Sequence, residues 1–230
     1  MERYQTAASP YSVSGESAND ILWVTYRWMS VGLAITGIVA YLIANTPAAL
    51  QVFIENRIVF YGLIFAQLGL VLTFSALVTR VSTAAAAGMF FAYAALTGAT
   101  FSVLFLVYTA SSIASTFFIT AGTFAGLSVF GAVTKRDLSV VGRFAVFAVI
   151  GLIISSVVNI FLKSPALLWL TTFAGILIFA ALTAYDTQQL KEMFRTEGYA
   201  RNLALRGALK LYLDFINMFL FLLNLFGRRR

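Results

Sequence analysis

The apolar positions of this chain fall into runs long enough to cross a bilayer, which takes about 20 mostly apolar residues at 1.5 Å rise each. Seven such runs are predicted as transmembrane helices: about Trp28 to Ala44, Ile58 to Val78, Ala84 to Tyr108, Ile113 to Val133, Val140 to Leu162, Ala166 to Tyr185 and Leu203 to Phe226. The connections are Asn45 to Arg57, Thr79 to Thr83, Thr109 to Ser112, Thr134 to Ser139, Lys163 to Pro165, and a longer basic one from Asp186 to Asn202. Connections of this length force antiparallel neighbours, so the expected fold is an all-α integral membrane protein with one seven-helix domain over residues 23–230. Residues 1–22 read as a flexible, polar, cytosolic tail, because MERYQTAASPYSVSGESAND lacks the charged-then-apolar order of a signal peptide.

Polar residues between the runs set an expected orientation. With the N-terminus in the cytosol, that side holds Arg3, Arg27, Arg80, Lys135, Arg136, Arg143, Lys191, Arg195, Arg201, Arg206 and Lys210, eleven in all. The other side holds Arg57, Lys163, Arg228, Arg229 and Arg230, five in all. The three terminal arginines favour a re-entrant last segment, which would move them to the cytosolic side. Seven full spans is the reading adopted. The turn Thr134 to Ser139 reads as solvated, with Asp137 or Ser139 capping the next helix. Small residues at Ala84 to Gly88, Gly98, Gly122 and Gly126 are expected at close helix contacts, and Trp23, Trp28 and Trp169 as interfacial anchors.

Composition narrows the chemistry. The 230 residues are 60% hydrophobic and 11% charged, against about a quarter charged in soluble domains. His and Cys are both absent, which excludes thiol nucleophiles, disulfides, His or Cys metal sites, Ser-His-Asp triads and a histidine switch. The net charge of +7 belongs to the ends of the apolar runs, so no nucleic-acid partner is expected. No cofactor is expected either: the glycines form neither a Walker motif nor a strand-borne GxGxxG.

Two carboxylates remain as candidate chemistry. Positions three and four apart share a helix face, so Lys210, Asp214, Asn217, Phe221 and Asn224 form one stripe of the last segment, polar at four of five places. Thr172, Gly175, Phe179, Thr183, Asp186 and Gln189 form a second, small and polar stripe on the preceding segment. An ionisable residue at bilayer depth marks a functional site. Depths counted from Ala166 and Arg228 differ by under about 10 Å, so Asp186 and Asp214 can meet. Touching carboxylates cannot both ionise cheaply, and such a pair titrates as a unit, holding a proton and separating when it is lost. The residues also admit plainer readings. Asp186 could be a helix-end residue in solvent, Asp214 could be paired with Lys210 or Arg80, and Arg80 could be a topology anchor.

The segments TGATFSVLFLVYT (Thr97 to Thr109), FFITAGTFAGLSVFGAVTKRDLS (Phe117 to Ser139), IFAALTAYDTQQLK (Ile178 to Lys191) and ALKLYLDFINMFLFLLNLFG (Ala208 to Gly227) resemble the Bax inhibitor family, also called the transmembrane Bax inhibitor motif family, in its bacterial branch. The resemblance implies seven helices with the C-terminal one central and surrounded by the other six, in the bacterial inner membrane. It also implies a pH-sensitive Ca²⁺ leak, with paired aspartates matching Asp186 in AYDTQ and Asp214 in LYLDFIN. A basic latch after the second span falls on Arg80, although its flanks Thr79 and Val81 are neutral. Lys210, Asn217, Asn224 and Thr183 would line or support the path. Asp186 and Asp214 would hold Ca²⁺ transiently, since oxygen ligands suit a hard cation.

The expected function is therefore a non-enzymatic Ca²⁺ leak gated by protons, with the lipid bilayer, Ca²⁺ and protons as partners. The rival is a non-conducting regulator that binds a membrane protease through its tail, as the resemblance also implies. An intramembrane aspartyl hydrolase ranks last, because neither acid sits in a Gly-x-Gly-Asp element.

Overall fold

In the computed structural model, residues 18–197 and 201–230 are described. Among them nine helices follow in order: α1 Ala18–Ala44, α2 Pro47–Glu55, α3 Arg57–Leu77, α4 Thr83–Phe101, α5 Leu104–Val107, α6 Ala110–Val133, α7 Ser139–Leu162, α8 Pro165–Glu197 and α9 Arg201–Phe226. The chain is an all-helical membrane protein. Six helices are long and apolar enough to cross a bilayer: α1, α4 with α5, α6, α7, α8 and α9. α3 carries a shorter apolar stretch, Tyr61–Leu77.

Local chemistry explains most boundaries. Asn56 accepts from the backbone N–H of Ile58 and Val59 at the start of α3, Ser82 from Ala85 in α4, and Thr109 from Ser112 in α6. α7 departs from the expected cap, because the residue before it is Leu138. Asp137 instead accepts the Ser139 N–H at 2.8 Å, and hydrogen bonds from Ser139 hold its exposed carboxyl below the usual carboxylate range. Lys163 closes α7 in the left-handed region, φ 49°, and Pro165 opens α8.

Three boundaries differ from the sequence expectation. α1 begins at Ala18, inside the stretch assigned to the tail, because Ile21 and Leu22 are already buried in the bundle. The rest of that stretch, residues 1–17, lies outside the described residues. The connection after the first span contains α2, opened by Pro47. Most of the connection from Asp186 to Asn202 is helix, since α8 continues to Glu197 with Thr187, Leu190 and Phe194 buried at helical spacing. A search for apolar runs stops at the first charge, whereas a helix with one buried stripe does not.

α9 forms the axis. Its apolar window is 56% buried, against 11% for α7. It packs directly on α1, α4, α6 and α8, while α3 lies outside against α4 and α7 outside against α8. The last helix is thus central, with four close neighbours and two helices in an outer position. Tyr212, the largest fully buried side chain, sits edge-on to Phe90 and Tyr93 of α4. Its hydroxyl shares a 2.6 Å hydrogen bond with Thr36 of α1, whose Oγ1 also lies 2.9 Å from the Ala94 carbonyl oxygen, as donor to it. Phe215 packs on Phe117 and Phe124 of α6. Large apolar side chains such as Phe65, Phe118, Phe144 and Phe161 are exposed around the outside, which fits a lipid-facing belt.

Glycines meet neighbouring helices at positions other than those expected. A Cβ on Gly98 would lie 2.6 Å from the Thr36 carbonyl oxygen, as anticipated, but Gly88, Gly122 and Gly126 have nothing within 4 Å. The tightest contact is Gly131 of α6, where a Cβ would lie 2.1 Å from the Ala184 carbonyl oxygen of α8. Trp23 and Trp169 are exposed as anchors should be, while Trp28 packs on Phe91.

The two ends of the bundle are distinct. At one, α1 begins and Asn202 donates to the carbonyls of Val78 and Val81, tying the Arg80 turn to the start of α9. At the other, Arg228 to Arg230 pair by backbone with Val107 to Thr109. α9 therefore runs the full height of the bundle, and the terminal arginines stand opposite the Arg80 turn rather than beside it.

Candidate functional site

The two predicted stripes meet, in antiparallel order, along the α8–α9 seam. Asn224 donates to Thr172 Oγ1 at 2.7 Å. Gly175 makes room for the Phe221 ring, which stacks on Phe179 at 6.0 Å between centroids. Two helical turns farther on, Asp186 and Asp214 lie within hydrogen-bonding reach of each other. Gln189, at the end of its stripe, accepts from Lys210.

Both acids are buried, Asp186 at 2% exposure and Asp214 at 5%. The Lys210 ammonium stands 2.8 Å from Asp186 Oδ1 as an ion pair, off the direction of a well-aligned hydrogen bond. Lys210 is itself 41% exposed and lies over the Tyr185 ring at 5.4 Å. Asp214 Oδ2 is buried with no hydrogen-bond partner among the described residues. Native proteins rarely leave a buried acceptor bare, so this oxygen calls for a functional account.

The closeness in sequence of the end of α8 and the start of α9 explains why the acids coincide. Asp186 lies eleven residues before the end of α8 at Glu197 and Asp214 thirteen after the start of α9 at Arg201, about 17 and 20 Å along their helices. Counting from the facing ends of the two antiparallel helices gives a depth difference of about 3 Å. Counting from the far ends gave only the looser bound of about 10 Å.

Other expected residues stand elsewhere. Arg80 is exposed in the turn after α3 and forms no ion pair with either acid among the described residues. The Asn202 clamp sets this turn twelve residues, about 18 Å along α9, from Asp214, beyond the reach of an arginine side chain. The cation paired with Asp186 is Lys210. Thr183 is fully buried and bonds to the Phe179 carbonyl of its own helix, while Asn217 donates to that of Leu213.

Two features escaped sequence reading. The Tyr212–Thr36 link pins α9 to α1, and its only signal was a tyrosine two residues before Asp214, on the opposite helix face. The Gln188 amide holds the α6–α7 turn from both sides, accepting from Leu138 N–H at 2.9 Å and donating to the Arg136 carbonyl at 2.8 Å. The turn that read as freely solvated is thereby fastened to α8 beside the acid pair.

No group of three or more His, Cys, Asp or Glu residues converges among the described residues. Ca²⁺ takes six to eight oxygens, so two carboxylates suit brief contact with a passing cation better than storage of one.

Comparison with known proteins places the chain in a family. The inner membrane protein YbhL of Escherichia coli K12 is 49% identical over 210 residues, covering 89% of this chain and 90% of that protein. Uncharacterized proteins of Deinococcus radiodurans and Borreliella burgdorferi are 46% and 40% identical, over 89% and 92% of this chain and 89% and 93% of their own lengths. The family described as "Inhibitor of apoptosis-promoting Bax1" matches residues 18–230. The chain therefore belongs to that family, the Bax inhibitor family.

Proposed function

We propose that the protein is a pH-sensitive Ca²⁺ leak of the bacterial inner membrane, gated by the Asp186–Asp214 pair. The observation that carries this reading is a pair of buried, mutually touching carboxylates served by one lysine. The membrane assignment draws on the six long apolar helices and on the name of the YbhL relative. The positive-inside rule puts the α1 start, with Arg27, Arg80, Lys135, Arg136 and Arg143, in the cytosol.

The gate works through the balance of charge at the seam. With one proton on the pair, the remaining carboxylate is matched by Lys210 and the two helices stay together. Loss of that proton leaves two negative charges against one ammonium, and repulsion in a low-dielectric seam drives α8 and α9 apart. Asp214 Oδ2, bare when closed, is then free to meet a cation entering past the half-exposed Lys210. On the other side of the acids the stacked Phe179 and Phe221 block the seam until it opens.

Ca²⁺ flux in proteoliposomes as a function of pH tests the reading. Asp214→Asn and Asp186→Asn should each flatten the pH dependence. Unchanged flux and an unchanged profile in both variants would remove the gate. Labelling a cysteine placed at Arg229 tests the orientation, and reaction from the cytosolic side alone would overturn it.

A further inference from the structure

Away from the acid seam, a cleft of about 820 Å³ opens between α1 and α6, large even among small-molecule sites, which run to about 1,000 Å³. Phe124 and Phe215 form its floor and Trp23, Met29, Ala121 and Ala125 line its sides. Along α1 it runs from Leu22 to Ala34 and along α6 from Phe117 to Ala132, about 18 and 23 Å of helix. One leaflet of the hydrocarbon core is about 15 Å deep. The cleft thus begins at headgroup level, at the end of the bundle where α1 starts, and reaches the midplane along α1 and somewhat past it along α6.

The wall is apolar but the mouth is basic. Lys191 places its ammonium on the carbonyl of Ala132, a lining residue, at 2.8 Å, which occupies one of its three hydrogens. Arg27 is exposed on the α1 face that carries Trp23 and Ser30, one turn from each. Lys135 is exposed three residues beyond Ala132. With the exposed Arg136, four cations stand in these stretches against the acids Asp20, Asp137 and Glu192.

We propose that this cleft is a binding site for one anionic phospholipid of the adjoining leaflet, with an acyl chain along Phe124 and Phe215 and the phosphate held by Lys191 and Arg27. The length fits one chain, the lining fits hydrocarbon, and the charge at the mouth selects a phosphodiester without a compensating cation. Phe215 follows Asp214 in sequence, and Ser128 of the lining accepts from Thr187, next to Asp186, at 3.4 Å. The bound chain therefore lies directly behind the seam.

Trp23 can report occupancy. In the full chain carrying Trp28→Phe and Trp169→Phe, Trp23 is the remaining tryptophan, and lipids with dibrominated chains quench it on contact. In nanodiscs, half-maximal quenching should need roughly fivefold less brominated phosphatidylglycerol than brominated phosphatidylcholine, the ratio that about one basic residue near an anionic headgroup provides. Lys191→Gln with Arg27→Gln should erase that preference, and Ala125→Phe should erase it by filling the cleft. Equal quenching by the two lipids would overturn the proposal, leaving only annular lipid. A preference that survives the double charge substitution would overturn it too, and that variant decides the matter if Ala125→Phe fails to fold. Protection of Trp23 from both lipids would assign the cleft to a second copy of the chain instead.

Discussion

The two sides of α9 carry polar groups at nearly the same depth and treat them differently. Toward α1 and α4, the Tyr212 hydroxyl meets Thr36, and Thr36 lies within bonding distance of the Ala94 carbonyl. Toward α8, two acids share a single lysine and Asp214 Oδ2 goes without a partner. A satisfied buried network fixes a structure, whereas an incompletely satisfied one keeps free energy in reserve for another arrangement. The contrast locates the fixed half of the bundle at α1–α4–α9 and the switchable half at α8–α9.

The largest effect should come from the wall behind the acids. Gly131→Ala drives a Cβ into the Ala184 carbonyl, a backbone clash that cannot be relieved by rotating a side chain, and should cost about 3 kcal/mol. Gly122→Ala, which meets open space, should instead be neutral or stabilising by about 0.5 kcal/mol. Thermal unfolding in detergent compares the two, and equal losses would show that α6 does not press on α8 there.

The two faces of α9 should next respond with opposite sign. Tyr212→Phe removes one hydroxyl from a satisfied network and should cost about 1 kcal/mol. Above the pH at which the pair loses its proton, Asp214→Asn relieves the repulsion between the two carboxylates and should gain about 1 kcal/mol while degrading the gate. A loss from both substitutions would mean that the seam is as well satisfied as the far face.

The smallest effect belongs to Asp137, outside the seam. Its carboxyl lies below the ordinary range when folded, so its contribution is present above the unfolded value and fades as pH falls through the folded one. Asp137→Asn should lower Tm by no more than about 1 °C at pH 7. The difference should shrink as the pH falls below the ordinary carboxylate range, and a difference that does not change with pH would detach it from the carboxylate.

Much of this division could be read in the sequence. The stripes of α8 and α9 were visible because polar side chains at a spacing of three and four inside an apolar run have no reason to face lipid. Asp186 and Asp214 followed from those stripes, as did the seam contacts at Asn224 and Phe221. Lys210 stood in the stripe, but its partner depended on how far α8 extends past its first charge. Arg80 was misplaced relative to the acids because sequence order gives the end of the bundle at which a turn lies and says nothing of its distance from a residue midway along another helix. The close glycines were equally hidden, since Gly131 and Gly122 differ only in which side of α6 they occupy.

The clasp at Gln188 has a practical consequence. It is two residues from Asp186 on α8, and its amide grips the α6–α7 turn from both directions. Lys135 sits in that turn with its side chain in the open. Any rotation or tilt of α8 at the acid pair is therefore transmitted to a water-facing position through two hydrogen bonds. A spin label at residue 135 becomes an external pointer for an event inside the membrane, readable without placing any probe in the seam.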